Sequence, residues 1–450
     1  MRPKTRATIL SAGALCLALS ASACSGAGGG TSARDQNSIN VLMVNNPQME
    51  DLNKLTADNF TKDTGSKVNY TVLPENDVRA KISQEFSSQA GQYDVASLSN
   101  YEIPFYSANK WLAPLDNVAQ DAEFNQKDIL PAYTASLTGK DGKLYGEPFY
   151  GESSFLMYRK DIFDAKGLTM PEKPTWDQVA DLAAKADGAA PGMKGICLRG
   201  QPGWGQVFAP LTTVVNTFGG TWFDKDWNAK VSAPEFTAAT EFYTKLVREH
   251  GEAGAAQAGF TECLNNMSQS KVAMWYDATS AAGTLEADAS PVKGKIGYAQ
   301  APVKETKSSG WLWTWSWGVQ AASKKQDAAG KFIAWASSKK YEELVASKLG
   351  WAKVPSGKRI STYENAEFQK AAPFFKAERS AIENADPKNP GVQERPVVGI
   401  QFVGIPEFAD LGTTVSQGVS SAIAGQGSVS EALAKGQEAA QKIGDKYKAK

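Results

Sequence analysis

From residue 39 onward the chain alternates short apolar runs with amphipathic stretches. INVLMV at 39–44 is continuously apolar, the pattern of a strand buried on both faces. Asn45-Asn46-Pro47 then reads as a turn into a helix carrying Leu52, Leu55 and Phe60 and closed by Gly65. Residues 68–73 form a second strand pattern. At 76–90 Val78, Ile82 and Phe86 share one helical face, and 93–98 is a third strand leading into Ser99-Asn100-Tyr101-Glu102. Strand and helix in alternation predict βαβ units and a mostly parallel sheet. Ligands meet such sheets at the loops following the strands. That nominates Asn45, Asn46, Tyr101 and Glu102, with turn or surface chemistry as the plain alternative for each.

The stretch LYGEPFYGESSFLMYRKD at 144–161 interrupts this rhythm. It reads as an aromatic turn, a lone carboxylate (Glu152) framed by small residues, and an apolar strand at 155–158. A change of pattern at this point predicts a crossing between two lobes, with Glu152 at the mouth of the cleft, where small-molecule sites favour forming. Beyond it, Thr175-Trp176-Asp177-Gln178 has the spacing of a capping box and opens a helix at 179–186. The strand GICLR at 195–199 ends in Arg199 and is followed by GQPGWG at 200–205, a glycine-rich loop bearing Trp204. This loop lacks the Lys-Ser/Thr of a nucleotide P-loop. A long amphipathic helix follows at 233–249, and a strand at 271–276 ends on Asp277. Strands at 295–302 and 310–320 come next. The second carries Trp311, Trp313, Trp315 and Trp317 at period two, which places all four indoles on one side of a regular strand. They could be core, but the exit of a strand end into the cleft would bring at least one to a ligand. Helices at 326–337 and 341–349, Trp351, a Pro/Asn-rich loop at 385–396 and two final helices complete the chain.

Composition narrows the possibilities. At 450 residues the chain predicts two or three domains. Its 48 basic and 48 acidic residues balance, which argues against a nucleic-acid footprint. The one histidine, His250, stands at a charged helix end, so His-based metal sites and Ser-His-Asp triads are disfavoured. At the N-terminus Arg2, Lys4 and Arg6 precede an apolar run at 7–20, too short to span a bilayer comfortably but suited to a signal-peptide core. It ends in Ala21-Ser22-Ala23-Cys24, which looks like a lipoprotein signal with Cys24 lipidated, although Ala21 stands where leucine is usual. An ordinary secretory signal cut nearby is the alternative. Residues 25–38 read as a flexible tether. In an exported chain, pairing Cys197 with Cys263 is the simplest arithmetic, and two buried thiols are the other possibility.

Together with the lipoprotein signal, the motifs DGKLYGEPFYGESSFLMYRKDIF, GICLRGQPGWG, NTFGGTWFD, MWYDAT, WLWTWSW and GIQFVGIPEF resemble the extracellular solute-binding proteins of carbohydrate ABC importers, within them the sorbitol/mannitol-type polyol binders. The resemblance covers the chain from residue 39 to the end. It implies a two-lobed α/β fold of the periplasmic-binding-protein (Venus flytrap) kind, each lobe a mostly parallel sheet flanked by helices and neither continuous. The expected division is 1–24 signal, 25–38 tether, 39–149 with 295–345 as one lobe, and 150–294 with 346–450 as the other. It implies no catalysis, no cofactor and no metal, but partnership with a membrane permease and its cytoplasmic ATPase. The receptor itself would be a monomer held at the outer face of the membrane. Glu152 matches the family's carboxylate after the first crossing, Asn46 and Tyr101–Glu102 its polar residues after the first and third strands, and Asp277 a polar position after MWYDAT. Trp315 matches the tryptophan after the last crossing. Trp313 and Thr314 replace the glycines usual before it, which suggests a pocket smaller than an oligosaccharide needs. Arg199, Trp204 and Trp351 complete the expected set. A sugar alcohol or small sugar is the implied ligand. An oligosaccharide receptor of the same family, a secreted glycosidase using Glu102, Glu152 or Asp277, and a surface scaffold are the rival readings.

Overall fold

The computed structural model describes residues 38–449. The predicted leader, the lipidation site Cys24 and the tether lie outside the described residues, apart from Ser38, which opens the first strand. The apolar runs become the centres of two sheets. The first sheet contains β1 (Ser38–Val44), β2 (Lys67–Leu73), β3 (Val95–Ser99), β4 (Leu112–Ala113), β5 (Glu147–Glu152) and, much later in the chain, β10 (Trp313–Gln320). The second contains β6 (Ser154–Arg159), β7 (Lys194–Cys197), β8 (Val272–Ala278) and β9 (Ile296–Gln300). Ile39, Val41, Leu42, Met43 and Val44 are fully buried, as a strand covered on both faces requires.

The pairing is mixed, which corrects the expectation of mostly parallel sheets. β1 runs parallel to β2 and β3, the two βαβ units read from the pattern. β10 then runs antiparallel to β3 on one side and to β4 and β5 on the other. In the second sheet β7 and β8 are parallel, whereas β6 is antiparallel to both β8 and β9. The reason is the chain's path: strands that arrive by direct crossing, without a βαβ helix, enter from the opposite end. Two boundaries also differ. The supposed aromatic turn before Glu152 is strand β5 of the first sheet, with Glu152 its last residue. The 295–302 strand, expected in the first lobe, pairs with β6 in the second.

Helices cover both sheets. α1 (Pro47–Thr56) and α2 (Glu75–Ser88) follow β1 and β2. α3 (Trp176–Ala186) opens on the expected capping box, with Thr175 Oγ1 accepting from the Gln178 backbone and Gln178 Oε1 accepting from the Thr175 N–H. α4 (Phe208–Thr217), α5 (Pro234–His250), α6 (Gln326–Ala336), α7 (Phe408–Ile423) and α8 (Val429–Lys448) follow. α6 covers the first sheet, where Phe332 packs edge-on against Trp317. α7 and α8 pack on α5 beside the second sheet, so the C-terminal segment closes that half.

The halves are joined where β5 hands over to β6 through Ser153, where the chain returns between β9 and β10, and again near residue 356. At the last of these the Gly151 N–H donates to the Ser356 carbonyl at 3.1 Å. Gly357 follows at φ +86°, and a Cβ there would lie 1.9 Å from the Gly151 oxygen. Only glycine lets the two crossings lie against each other.

Cys197 and Cys263 are joined in a disulfide, their Cα atoms 5.7 Å apart. It ties β7 to the helix Phe260–Ser268 on the second sheet and closes a span of 66 residues. A loop of this size constrains the unfolded chain substantially, so replacing both cysteines by alanine should cost about 2–5 kcal/mol. Denaturant unfolding of C197A/C263A against the parent checks this. Equal midpoints would mean the crosslink contributes nothing to stability.

Candidate functional site

The termini of β1, β2, β3 and β5 converge with the loop after β7 and with β10. α2 starts directly after β2, so Glu75 and Arg79 occupy its first turns, four residues apart on one face. Arg79 Nε and Nη2 donate to Glu75 Oε1 at 3.1 and 2.8 Å, and Nη1 donates to Glu102 Oε1 at 3.1 Å. The other oxygen of Glu102 accepts from the backbone N–H and the hydroxyl of Ser99 at the end of β3. The Arg79 guanidinium also lies over three indoles, 4.2 Å from Trp204, 4.8 Å from Trp315 and 4.9 Å from Trp313.

The second half supplies Arg199, from the end of β7. Its Nε and Nη2 meet the two oxygens of Asp277 at 2.8 and 2.6 Å, the planar two-point pairing a guanidinium makes with a carboxylate. Nη1 donates to the Gly205 carbonyl at 3.0 Å and approaches Glu75 across the gap at 3.7 Å. Burial alone would weaken the charge on Arg199, yet Asp277, Glu75 and Glu152 together hold its pKa above the ordinary value. Asp277 is itself fully buried and also accepts from Trp275 Nε1 and the Ala278 N–H. Gly205 permits this arrangement: a Cβ there would lie 2.6 Å from Arg79 Nε and 2.8 Å from Glu75 Oε1.

Glu152 is different. In register it stands opposite Trp313 at the end of the β5/β10 ladder. It is buried and accepts from Ser280 Oγ at 2.5 Å, but no basic side chain forms an ion pair with it among the described residues. Burial pushes its pKa up to about 8, with the Ser280 hydrogen bond and the charge of Arg199 pulling the other way.

These groups surround a cavity with about 350 Å³ of space between atoms, of which only about 20 Å³ admits the centre of a water molecule. Of the predicted residues, Asn46, Glu152, Arg199, Trp313 and Trp315 line this cavity. Asn46 Nδ2 donates to Tyr150 Oη at 2.7 Å, which orients its amide. Asp277 does not line the cavity but stands behind Arg199 as its anchor. Tyr101, Glu102 and Trp204 line an adjoining groove instead, and Trp351, in the short helix Trp351–Lys353, lines neither. The period-two indoles divide: Trp311, Trp313 and Trp315 reach the cavity, while Trp317 packs on Phe149 and Phe332 in the core. The Trp311 N–H is buried and has no hydrogen-bond partner among the described residues.

Sequence reasoning missed Glu75, Arg79, Phe260, Gln401 and Phe402, all of which line the cavity. The Glu75/Arg79 spacing directly after a strand was a readable signal. Gln401 and Phe402 lie in the GIQFVGIPEF motif, but nothing in it marked them as cavity residues, since they come from an irregular loop that only the fold brings against Trp313.

A cavity shut between two α/β halves that the chain crosses repeatedly is the construction of a two-lobed binding protein. The chain belongs to the bacterial extracellular solute-binding proteins, whose family profile matches residues 46–343, and so serves as the receptor of an ABC importer. It is 38% identical over 409 residues to the mannitol-binding protein of Pseudomonas aeruginosa, covering 90% of this chain and 93% of that one. The erythritol/L-threitol-binding protein of Mycolicibacterium smegmatis is 26% identical over 321 residues, 67% of this chain and 66% of the relative. Among solved structures, a solute-binding protein of Agrobacterium vitis S4 with bound D-mannitol superposes with a TM-score of 0.89 at 43% identity, covering 91% of this chain and 99% of that one. One from Agrobacterium radiobacter K84 with ribitol gives 0.80 at 25% identity, covering 90% and 98%. No helix among the described residues is long and apolar enough to cross a membrane.

The state of Glu152 is testable without any ligand. Its folded-state pKa lies above the usual value of 4.5, so the folded protein keeps a proton that the unfolded chain has released. Its contribution to stability is therefore intact below about pH 4.5 and is lost as pH rises towards 8. Ligand-free Glu152→Gln should match the parent at pH 4 and melt a few degrees higher at pH 8. The same difference at both pH values would show that the carboxyl is not held neutral.

Proposed function

We propose that this receptor captures a sugar alcohol of the mannitol, sorbitol or arabitol kind and delivers it to the permease. The observation that carries the reading is that the charges around the cavity are already committed to one another. Arg199 is paired with Asp277, and Arg79 with Glu75 and Glu102. An ionic guest would have to break those pairs. A neutral polyhydroxylated guest need not. Each of its hydroxyls can donate and accept, Glu152, which has no ion-pair partner among the described residues, accepts from neighbouring hydroxyls, and unused guanidinium donors serve their oxygens. The faces of Trp313 and Trp315 suit the C–H spine. The mannitol and ribitol bound by the similar solved proteins support the same chemistry.

Closure around the guest follows from where these groups come from. Glu152, Asn46 and β10 belong to the first sheet, Arg199 to the second, so a ligand touching both stabilises the closed state over the open one. A glycosidase would need two carboxylates set about 5–10 Å apart across a bond. Glu152 has the raised pKa of a general acid, but Glu75, Glu102 and Asp277 are each held by a guanidinium, which leaves no second carboxylate at the cavity free to act as nucleophile or base among the described residues. We read the mature protein as a monomer tethered to the outer face of the cell membrane through lipidated Cys24, its ligand released unchanged.

A thermal-shift panel with mannitol, sorbitol, arabitol, xylitol, glucose, maltose and trehalose should give its largest shifts with the six- and five-carbon alcohols. No shift with any polyol would end this reading. Glu152→Ala and Trp315→Ala should each weaken the preferred ligand by about one to two orders of magnitude, read by calorimetry, because a carboxyl that hydrogen-bonds the hydroxyls or an aromatic face is lost from a closed cavity. In cells, Cys24→Ala should move the protein from the membrane fraction to the soluble extracellular fraction. Retention at the membrane would show a different anchor.

A further inference from the structure

The cavity has a second compartment beside it. A groove of about 790 Å³ runs between α2, the Tyr101–Glu102 turn, the Trp204 loop and α7. Among the described residues one side chain lines both spaces: Arg79. Its guanidinium sits between the indoles of Trp313 and Trp315, which wall the inner cavity, and that of Trp204, which walls the outer groove.

This partition is rigid. Three of the five guanidinium N–H donors are committed to Glu75 and Glu102, one carboxylate at each side, and the aliphatic stem rises from the first turns of a helix. Arg79 is about 6% exposed, so it cannot swing into solvent without giving up two ion pairs and three aromatic contacts. Movable partitions are poor sieves. One held on both sides rejects any guest that would have to pass through it.

Resting on the polyol reading above, we propose that Arg79 sets the length of the ligand. It is the end wall that confines the guest to a single unglycosylated polyol, and without it the inner cavity and the groove become one elongated site. That site takes a polyol bearing one glycosyl unit, the polyol seated at Glu152 and the sugar ring lying in the groove that Trp204 and Tyr101 line.

The experiment measures calorimetric binding of mannitol, sorbitol, maltitol and glucosyl-mannitol to the full mature chain. The parent should bind a simple polyol and give no response to either glycosylated one. Arg79→Ala should bind maltitol or glucosyl-mannitol at least ten-fold more tightly than the parent does. Arg79→Met keeps much of the bulk but lacks the ion pairs that hold the partition, and should bind both more weakly than Arg79→Ala does. Arg79→Ala leaves Glu102 buried without its cation, so Arg79→Ala/Glu102→Gln is the companion that keeps the folded state if the single variant loses it. A parent that already binds the glycosylated alcohols, or a folded Ala variant that binds mannitol or sorbitol but neither longer guest, overturns the proposal. A parent that binds no polyol at all overturns instead the reading on which it rests.

Discussion

Charges shut between the two halves govern this structure. Arg199 with Asp277, and Arg79 with Glu75 and Glu102, are all buried or nearly so, and Glu75 lies within 3.7 Å of Arg199 across the gap. Buried ions are tolerable only when paired, since removing one partner typically costs about 3–5 kcal/mol. The pairs therefore fix side-chain positions more than they add stability. They decide where the strand ends, the helix start and the Trp204 loop must sit. They also leave the cavity without spare charge, which is what disposes it towards a neutral guest.

The indoles depend on that frame. β10 enters the first sheet between β3 and the β4/β5 edge, and its register with β5 shifts between Trp315 and Ser316, one extra residue being accommodated on β5. Residues on the core side of this shift pack as ordinary interior, with Trp317 edge-on to Phe332. Those on the other side run out towards the cleft, where Arg79 and Phe402 meet them. Phe402 also contacts Tyr101 and Trp204, so a loop from the C-terminal region joins first-half and second-half aromatics in one cluster. The closed arrangement is held by side chains from both halves, including Gln48 to the Ser280 carbonyl and Asn76 to the Pro202 carbonyl, at 2.9 and 3.0 Å.

Much of the site was legible because its residues follow strands. Asn46 after β1, Glu152 at the end of β5 and Arg199 just beyond β7 stand where apolar runs give way to polar residues, and all three line the cavity. Tyr101 and Glu102 occupy an equivalent position after β3 but face the groove, because Arg79 stands between them and the cavity. Asp277 ends β8 as expected, yet it is spent on anchoring Arg199. A strand end marks where a side chain emerges. Which side of a neighbouring side chain it emerges on is a matter of packing.

Apolar period and turn chemistry, properties of neighbours in the chain, determined the strands, the capped helix α3, the two-lobed class and the nearness of Glu152 and the tryptophans to a cleft. They could not determine strand direction, since a strand reads alike whichever way it enters a sheet, and so the reversed β6 and β10 were decided only in three dimensions. Nor could they place Arg79, Gln401 and Phe402 around Glu152. Those contacts join positions tens to hundreds of residues apart, and only the folding of the two halves onto each other, with its buried ion pairs and aromatic packing, brings them together.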